Sequence, residues 1–597
     1  MRLFLGLTLL AFASTKAPLP LPEKEIAALA QELSGETAKR NLEGLARLHR
    51  QRASQGFHSA AELVAERARA YGLSDVAILQ FPADGKTFYG TQRSRPAWDA
   101  SAGELWELKE MPVKLASYEA EPVALAEDSE SADVTAALVD VGQGTKEADY
   151  KDVKGKIVLA GAQPGAVQDL AVGKFGALGI ISYAQNQKTA WWGEDENLVR
   201  WGHLETFSAS KTFAFMVSLK TARGLRERLA KGESIRLHAS VKAGQHPGNY
   251  DVVTATIPGK IQEEIAFSCH LDHQRPGAND NASGCVTILE VARTLRKLID
   301  EKKLSPPLRT IRFIWPPEVE GTVALLNARP DLAQRIKAVI HMDMVGGGPV
   351  TKAVFHVTRG PASLPSFIHD VAWQFAELVN EQSYKFAAAG SAEFPLAAPE
   401  GGKEALLAQD SAFSMGSDHD VYQDSSFGIP SIYLNDWPDR YIHTNFDTAA
   451  NIDPTKLLRA AFIGAASGYV LANWEKPQWV SPAKPADAAC TGDGCLIFRR
   501  KPTPKGPLAV FGYDYFADHF KGSPKLLSYE GTLPGAIQSG LLGSGEEYAY
   551  EILNFADGRR SARQIRDAVS AEYGPVALEL VVEYLRALEK IGVVERP

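Results

Sequence analysis

Residues 269–284 read CHLDHQRPGANDNASG. Two histidines, two aspartates and two asparagines are packed between an apolar strand-like run, EIAFS (264–268), and a helical pattern, SGCVTILEVARTLRKLIDEKK (283–303). In that helix Val286, Leu289, Leu295, Leu298 and Ile299 fall on or near one face. A strand, a polar loop and a helix form the repeating unit of an α/β sheet. TIRFIW (310–315), KAVIHMD (337–343) and IPSIYLND (429–436) repeat the pattern, each running into polar residues at its C-terminal end. The expected fold is therefore α/β: a mainly parallel sheet with helices on both faces. Ligands of such sheets gather outside the carboxyl ends of the strands, which directs all these polar residues into one crevice.

The chain has 597 residues, enough for roughly three or four domains at ~150 residues each. Hydrophobic and charged contents of 45% and 23% are those of a globular protein, and a net charge of −8 leaves no basic footprint for nucleic acid. Residues 1–17, MRLFLGLTLLAFASTKA, have the layout of a signal peptide, and the run Leu3–Ala13 falls short of the ~20 apolar residues a spanning helix needs. No other segment is apolar enough to span. A secreted or periplasmic protein with no membrane span and no nucleic-acid partner is expected, with no indication of its oligomeric state. In an exported chain, Cys490 and Cys495 could close a short disulfide loop, whereas Cys269 and Cys285 read as buried thiols.

The expected organisation is a signal peptide over 1–17, an N-terminal part of the main domain over 18–115, a β-rich insertion over 116–240, the α/β domain over 241–478, a linker over 479–505 and an accessory domain over 506–597. The insertion carries AALVDVG (136–142), VKGKIVLAGA (153–162) and AVGKFGALGIISYAQ (171–185). This order resembles a protease-associated domain, with KGKIVL and GALGII as its marks. The final section, three short helices with Ser561 as an N-cap and Gly592 as a stop, resembles small winged-helix modules.

The polar strand ends hold His270, Asp272, Asp280, Glu318, Glu320, Asp343 and His443. Imidazoles with carboxylates are a nitrogen and oxygen donor set suited to zinc and too rich in imidazole for magnesium or calcium. A carboxylate such as Asp280, just ahead of a helix, can bridge two ions. Asp418, Asp420, Asp436 and Asp439 lie near the last of these residues and read as solvated loop charges. Residues 380–410 are expected to form one wall of the cleft.

The order HLD (270–272), ANDNASG (278–284), PEVEG (317–321), MDMVG (342–346), SDH (417–419), GIP (428–430) and YIHTNFDT (441–448) resembles the co-catalytic zinc aminopeptidases. That family also includes glutamate carboxypeptidase II and the glutaminyl cyclases. The resemblance implies one or two zinc ions, with His270 and Asp343 holding one, His443 the other and Asp280 bridging them. Asp272 would orient His270, Glu318 would be the general base, and peptide or protein N-termini would be the substrate. The family usually has two adjacent glutamates, the second a zinc ligand, and here that position is Val319. Either Glu320 supplies the oxygen or the second site is weak or empty. Alternative readings are a glutaminyl-cyclase-type acyltransferase and a catalytically impaired fold serving as a binding module. A serine hydrolase is disfavoured because no G-x-S-x-G elbow occurs.

Overall fold

The computed structural model describes residues 18–185, 195–481, 489–510, 512–529 and 544–597. The expected leader at 1–17 lies outside the described residues. The sheet that carries the site has eight strands: β1 Ser74–Ala83, β2 Gly248–Ile257, β3 Ile261–Ser268, β4 Arg309–Trp315, β5 Ile336–Asp343, β6 Val354–Thr358, β7 Gln409–Ser411 and β8 Ser431–Trp437. Their order is β1-β2-β4-β3-β5-β8-β6-β7. The central four, β4-β3-β5-β8, are parallel, and antiparallel β2 and β6 flank them.

Alternation along the strands divides the core. Ile265 and Phe267 of β3, with Ile311 and Phe313 of β4, face the larger layer, built from α1 Glu23–Glu32, α2 Gly35–Leu45, α3 Gln55–Ala70, α4 Gly284–Asp300, α5 Ile368–Ala389 and α6 Pro454–Asn473. Ala266, Ile314 and Val339 face the other way, onto Val323, Leu326 and Tyr422. Near-continuous apolar strands such as AVIHM are what covering on both faces demands. Helix α6 is buried along almost its whole length, and its Gly464 and Gly468 let Met342 and Phe267 approach.

The insertion is a separate seven-stranded sheet, from Ala97–Leu108 at its start to Arg236–His246 at its end. The expected boundaries at 116 and 240 both fall inside it, because these two long strands pair antiparallel from Leu108↔Arg236 to Ala97↔His246. Beyond α6, Cys490 and Cys495 form a disulfide. Helices Ser544–Asn554, Ala562–Tyr573 and Leu578–Lys590 then pack with a three-stranded sheet. Ser561 accepts from the Gln564 N–H as an N-cap, and Gly592 ends the last helix in the left-handed region. The core of this C-terminal unit also takes in Phe413 and Met415 of the α/β domain. Among the described residues no helix is long and apolar enough to cross a membrane.

Candidate metal centre

His270 follows β3 and Asp343 ends β5, so two adjacent parallel strands deliver them side by side. Asp280 sits in the loop ahead of α4. His270 Nε2 lies 3.2 Å from Asp280 Oδ1 and 3.4 Å from Asp343 Oδ1. His443 arrives from the loop after β8, its Nε2 3.0 Å from the other oxygen of Asp280, Oδ2. All four residues expected as ligands are thus together, and Asp280 presents one oxygen to each histidine.

A fifth residue joins them. His273 Nε2 lies 3.3 Å from Asp280 Oδ2. Two triads result, His270–Asp280–Asp343 and His273–Asp280–His443, each with its donor atoms within 4.8 Å of one another. His273 stands in the same loop, three places after His270, and is absent from the expected ligand set. Its spacing from His270 is the one signal the sequence carries for it.

The donor set fits a cation. Asp343 Oδ1 and His273 Nε2 are buried with no hydrogen-bond partner, an arrangement that costs free energy unless something else satisfies the atoms. Burial lowers the His443 imidazole against the pull of Asp280, favouring the neutral, ligating form. The loop bearing Asp280 is clamped by Asp447, whose carboxylate accepts the Asn279 and Asp280 N–H groups at 2.7 and 3.0 Å.

Glu318 lies in the turn after β4, partly buried, on the wall of the same cavity. Burial raises its carboxyl well above the usual range, and Asp343, Asp272 and Asp280 add to this against His270. Asp272 accepts the Glu318 N–H, and its backbone oxygen, 3.0 Å from His270 Nδ1, accepts from the ring. That bond leaves Nε2 of His270 free to face the two carboxylates.

Neither residue expected at the missing ligand position reaches the centre. Val319 packs into the apolar cluster with Tyr250 and Val323. Glu320 turns the other way and is consumed: Arg95 Nη2 lies 2.8 Å from Oε2, and Tyr250 OH and Gln92 donate to Oε1.

The four aspartates expected as solvated loop charges are buried instead. Asp418 accepts from the Val319 N–H, Asp420 from the Gly416 N–H, Asp436 pairs with Lys456 at 2.6 Å, and Asp439 accepts from Asn279. All are occupied by the fold, and none lines the cavity. The cavity, about 390 Å³, is walled by residues 409–416; the stretch expected there, 380–410, contributes only Gln409. Its roof comes from the insertion, where Trp201 donates its backbone N–H to the His443 carbonyl at 2.7 Å and sets its ring edge-on to His443.

Residues 252–467 match the model of peptidase family M28. That segment is similar to the M28 peptidases. It contains every member of both triads. A stretch of 169 residues is 33% identical to leucine aminopeptidase 1 of Pyrenophora tritici-repentis, covering 26% of this chain. The chain spans less than half, 43%, of that curated relative's length. The structural likeness extends further than this sequence match. The structure of BSAP, a zinc aminopeptidase from Bacillus subtilis, superposes with a TM-score of 0.52 at 18% identity, covering 75% of this chain and 97% of that one. A peptidase M28 precursor from Shewanella amazonensis gives 0.55 at 17% identity, covering 77% and 99%.

Proposed function

We propose that the protein is an exported zinc-dependent aminopeptidase that removes residues from peptide or protein N-termini. The observation that carries this reading is the shared carboxylate: Asp280 turns Oδ1 to His270 and Oδ2 to His443. His270, Asp280 and Asp343 would hold one zinc ion, and Asp280 with His443 the elements of a second site. Zinc bound there would polarise a scissile carbonyl and acidify a neighbouring water.

The chain's own groups do the rest. Glu318 takes the water's proton and returns it to the leaving amine, the two duties of a general base that becomes a general acid. Its place on the cavity wall supports this assignment. Asp272 is a positioning residue, fixing both His270 and the backbone of Glu318. Trp201 and residues 409–416 narrow the cavity and limit water around the reacting bond. Residues 1–17 are read as the export leader and 506–597 as an accessory unit.

The test is hydrolysis of leucyl-p-nitroanilide by the purified protein, beside an N-acetylated control. Cleavage of the free-amine substrate alone, abolished by chelation and restored by zinc, is expected. Glu318→Gln should retain zinc and lose about 10²–10⁴ of the rate. Chelator-resistant cleavage, or near-normal turnover by Glu318→Gln, would overturn the reading.

A further inference from the structure

A catalytic zinc site is held by about three protein ligands with one position left open. His443 and Asp280 provide two. The two residues after Glu318 provide none, since Val319 is packed in the apolar core and Glu320 is bound to Arg95, Tyr250 and Gln92. Resting on the metallopeptidase reading above, we propose that His273 is the third ligand of the second cation site. That site is then nitrogen-rich, His273–Asp280–His443, beside an oxygen-rich first site.

Several independent observations converge on His273. Its Nδ1 lies 2.8 Å from the Gln274 carbonyl, a bond that places the ring proton on Nδ1 and leaves the Nε2 lone pair free. Its Nε2 lies on the cavity wall 3.3 Å from Asp280 Oδ2 and makes no other polar contact among the described residues, so the lone pair faces the shared carboxylate. The backbone that carries the ring is also held in place. Arg50 and His273 exchange backbone N–H···O bonds, both 2.9 Å, and the Arg50 guanidinium binds the carbonyls of Leu45, Leu271 and Gly277. Gly277, at φ +52°, permits the close approach: a Cβ there would lie 2.4 Å from His273 Nδ1. Trp201 contacts both imidazoles edge-on, with ring centroids 5.7 Å from His273 and 4.9 Å from His443. Such preorganisation is what a ligand requires and what a solvated loop histidine lacks.

The substitution of imidazole for carboxylate has a chemical consequence. Two nitrogens and one oxygen favour zinc, cobalt or copper over manganese and magnesium, whereas one nitrogen and two carboxylates are more tolerant of oxygen-seeking ions. The two sites should therefore differ in which ion they accept.

The full-length protein is stripped with a chelator, and zinc binding is followed by calorimetry and by elemental analysis after desalting. The wild-type protein should bind two ions per chain. His273→Ala should bind one, with affinity at the second site reduced by more than about a hundredfold, since loss of residues one shell further out already costs ~10–100-fold. His273→Asn is the control for folding: its amide can keep the donation to Gln274 O but has no atom at the Nε2 position. It should show the same loss with an unchanged thermal midpoint of the stripped protein. Manganese should occupy one site in wild type and variant alike. An unaltered zinc stoichiometry and affinity in His273→Asn, or a wild-type protein that binds one ion, overturns the inference while leaving the peptidase reading intact. A wild-type protein that binds no zinc overturns both.

Discussion

Asp272 ties Glu318 to the first histidine: its Oδ1 accepts the Glu318 N–H at 2.6 Å while lying 3.5 Å from His270 Nδ1. One carboxylate thus sets the position of the proposed base relative to a proposed ligand, and it couples the loop after β3 to the turn after β4. Asp272→Ala should lower kcat and zinc affinity by about 10–100-fold each, the usual cost of removing a group that orients ligands. Asp272→Asn retains an oxygen that can accept the Glu318 N–H, so its loss should be smaller. Equal losses in the two variants would show that charge at Asp272, rather than its hold on Glu318, is what matters. Turnover and zinc titration of both variants decide between these.

Much of this centre is legible in the sequence because its members sit at the ends of recognisable elements. His270 and Asp343 close apolar strands, and Asp280 precedes an obvious amphipathic helix. What is not legible depends on residues distant in the chain. His273 is marked in the sequence only by its spacing from His270, and it reaches the centre because Arg50 holds its backbone and Trp201 flanks its ring from the N-terminal segment and the insertion. Asp418, Asp420, Asp436 and Asp439 look like loop charges until Thr322, Lys456, Asn279 and the backbone N–H groups supply their donors. Glu320 looks like a substitute ligand because alternate residues of an extended segment share a face, but it is the first residue of a helix and not part of a strand.

That helix gives Glu320 a structural role with a measurable size. Its carboxylate lies 2.8 Å from Arg95 and 3.6 Å from Arg52, and its side chain is 1% exposed. Removing one member of a buried ion pair strands the other charge and costs about 3–5 kcal/mol. Glu320→Ala should therefore lower stability by that amount in urea unfolding. The surviving folded protein should keep the zinc content of the wild type. A fall of one ion per chain in the folded variant would instead make Glu320 a ligand.

The C-terminal unit reaches the cavity indirectly. Phe413 lines the cavity and stacks on Tyr550, with ring centroids 5.7 Å apart and planes 20° from parallel. Tyr550 also donates its hydroxyl to the Asp420 carbonyl at 2.7 Å and does not itself line the cavity. Tyr550→Leu keeps much of the bulk while removing the stack and the bond. It should raise KM several-fold, with kcat and zinc content near wild type, because it loosens one wall of the cavity and leaves Glu318 and the residues of both triads in place. An unchanged KM would mean that this wall takes no part in substrate binding.

Docking of the same unit should weaken with rising pH. Glu551 accepts from the Ser363 N–H and hydroxyl, and Glu572 accepts from the Ala362 N–H at 3.0 Å. Burial, and then the neighbouring Glu551 charge, raise the Glu572 carboxyl to about 10, so that it keeps its proton and donates to Glu551. An unfolded glutamate titrates near ~4.3. Between these values the folded state holds more protons than the unfolded state, so stability falls as pH rises. The contribution is complete below ~4.3 and is lost progressively as pH climbs towards about 10. Glu572→Gln fixes a donor permanently in place of the proton and keeps an oxygen for the Ala362 N–H. Thermal midpoints measured from pH 6 to 10 should decline less steeply for the variant than for the wild-type protein. Parallel slopes would show that the Glu551–Glu572 proton does not govern the docking.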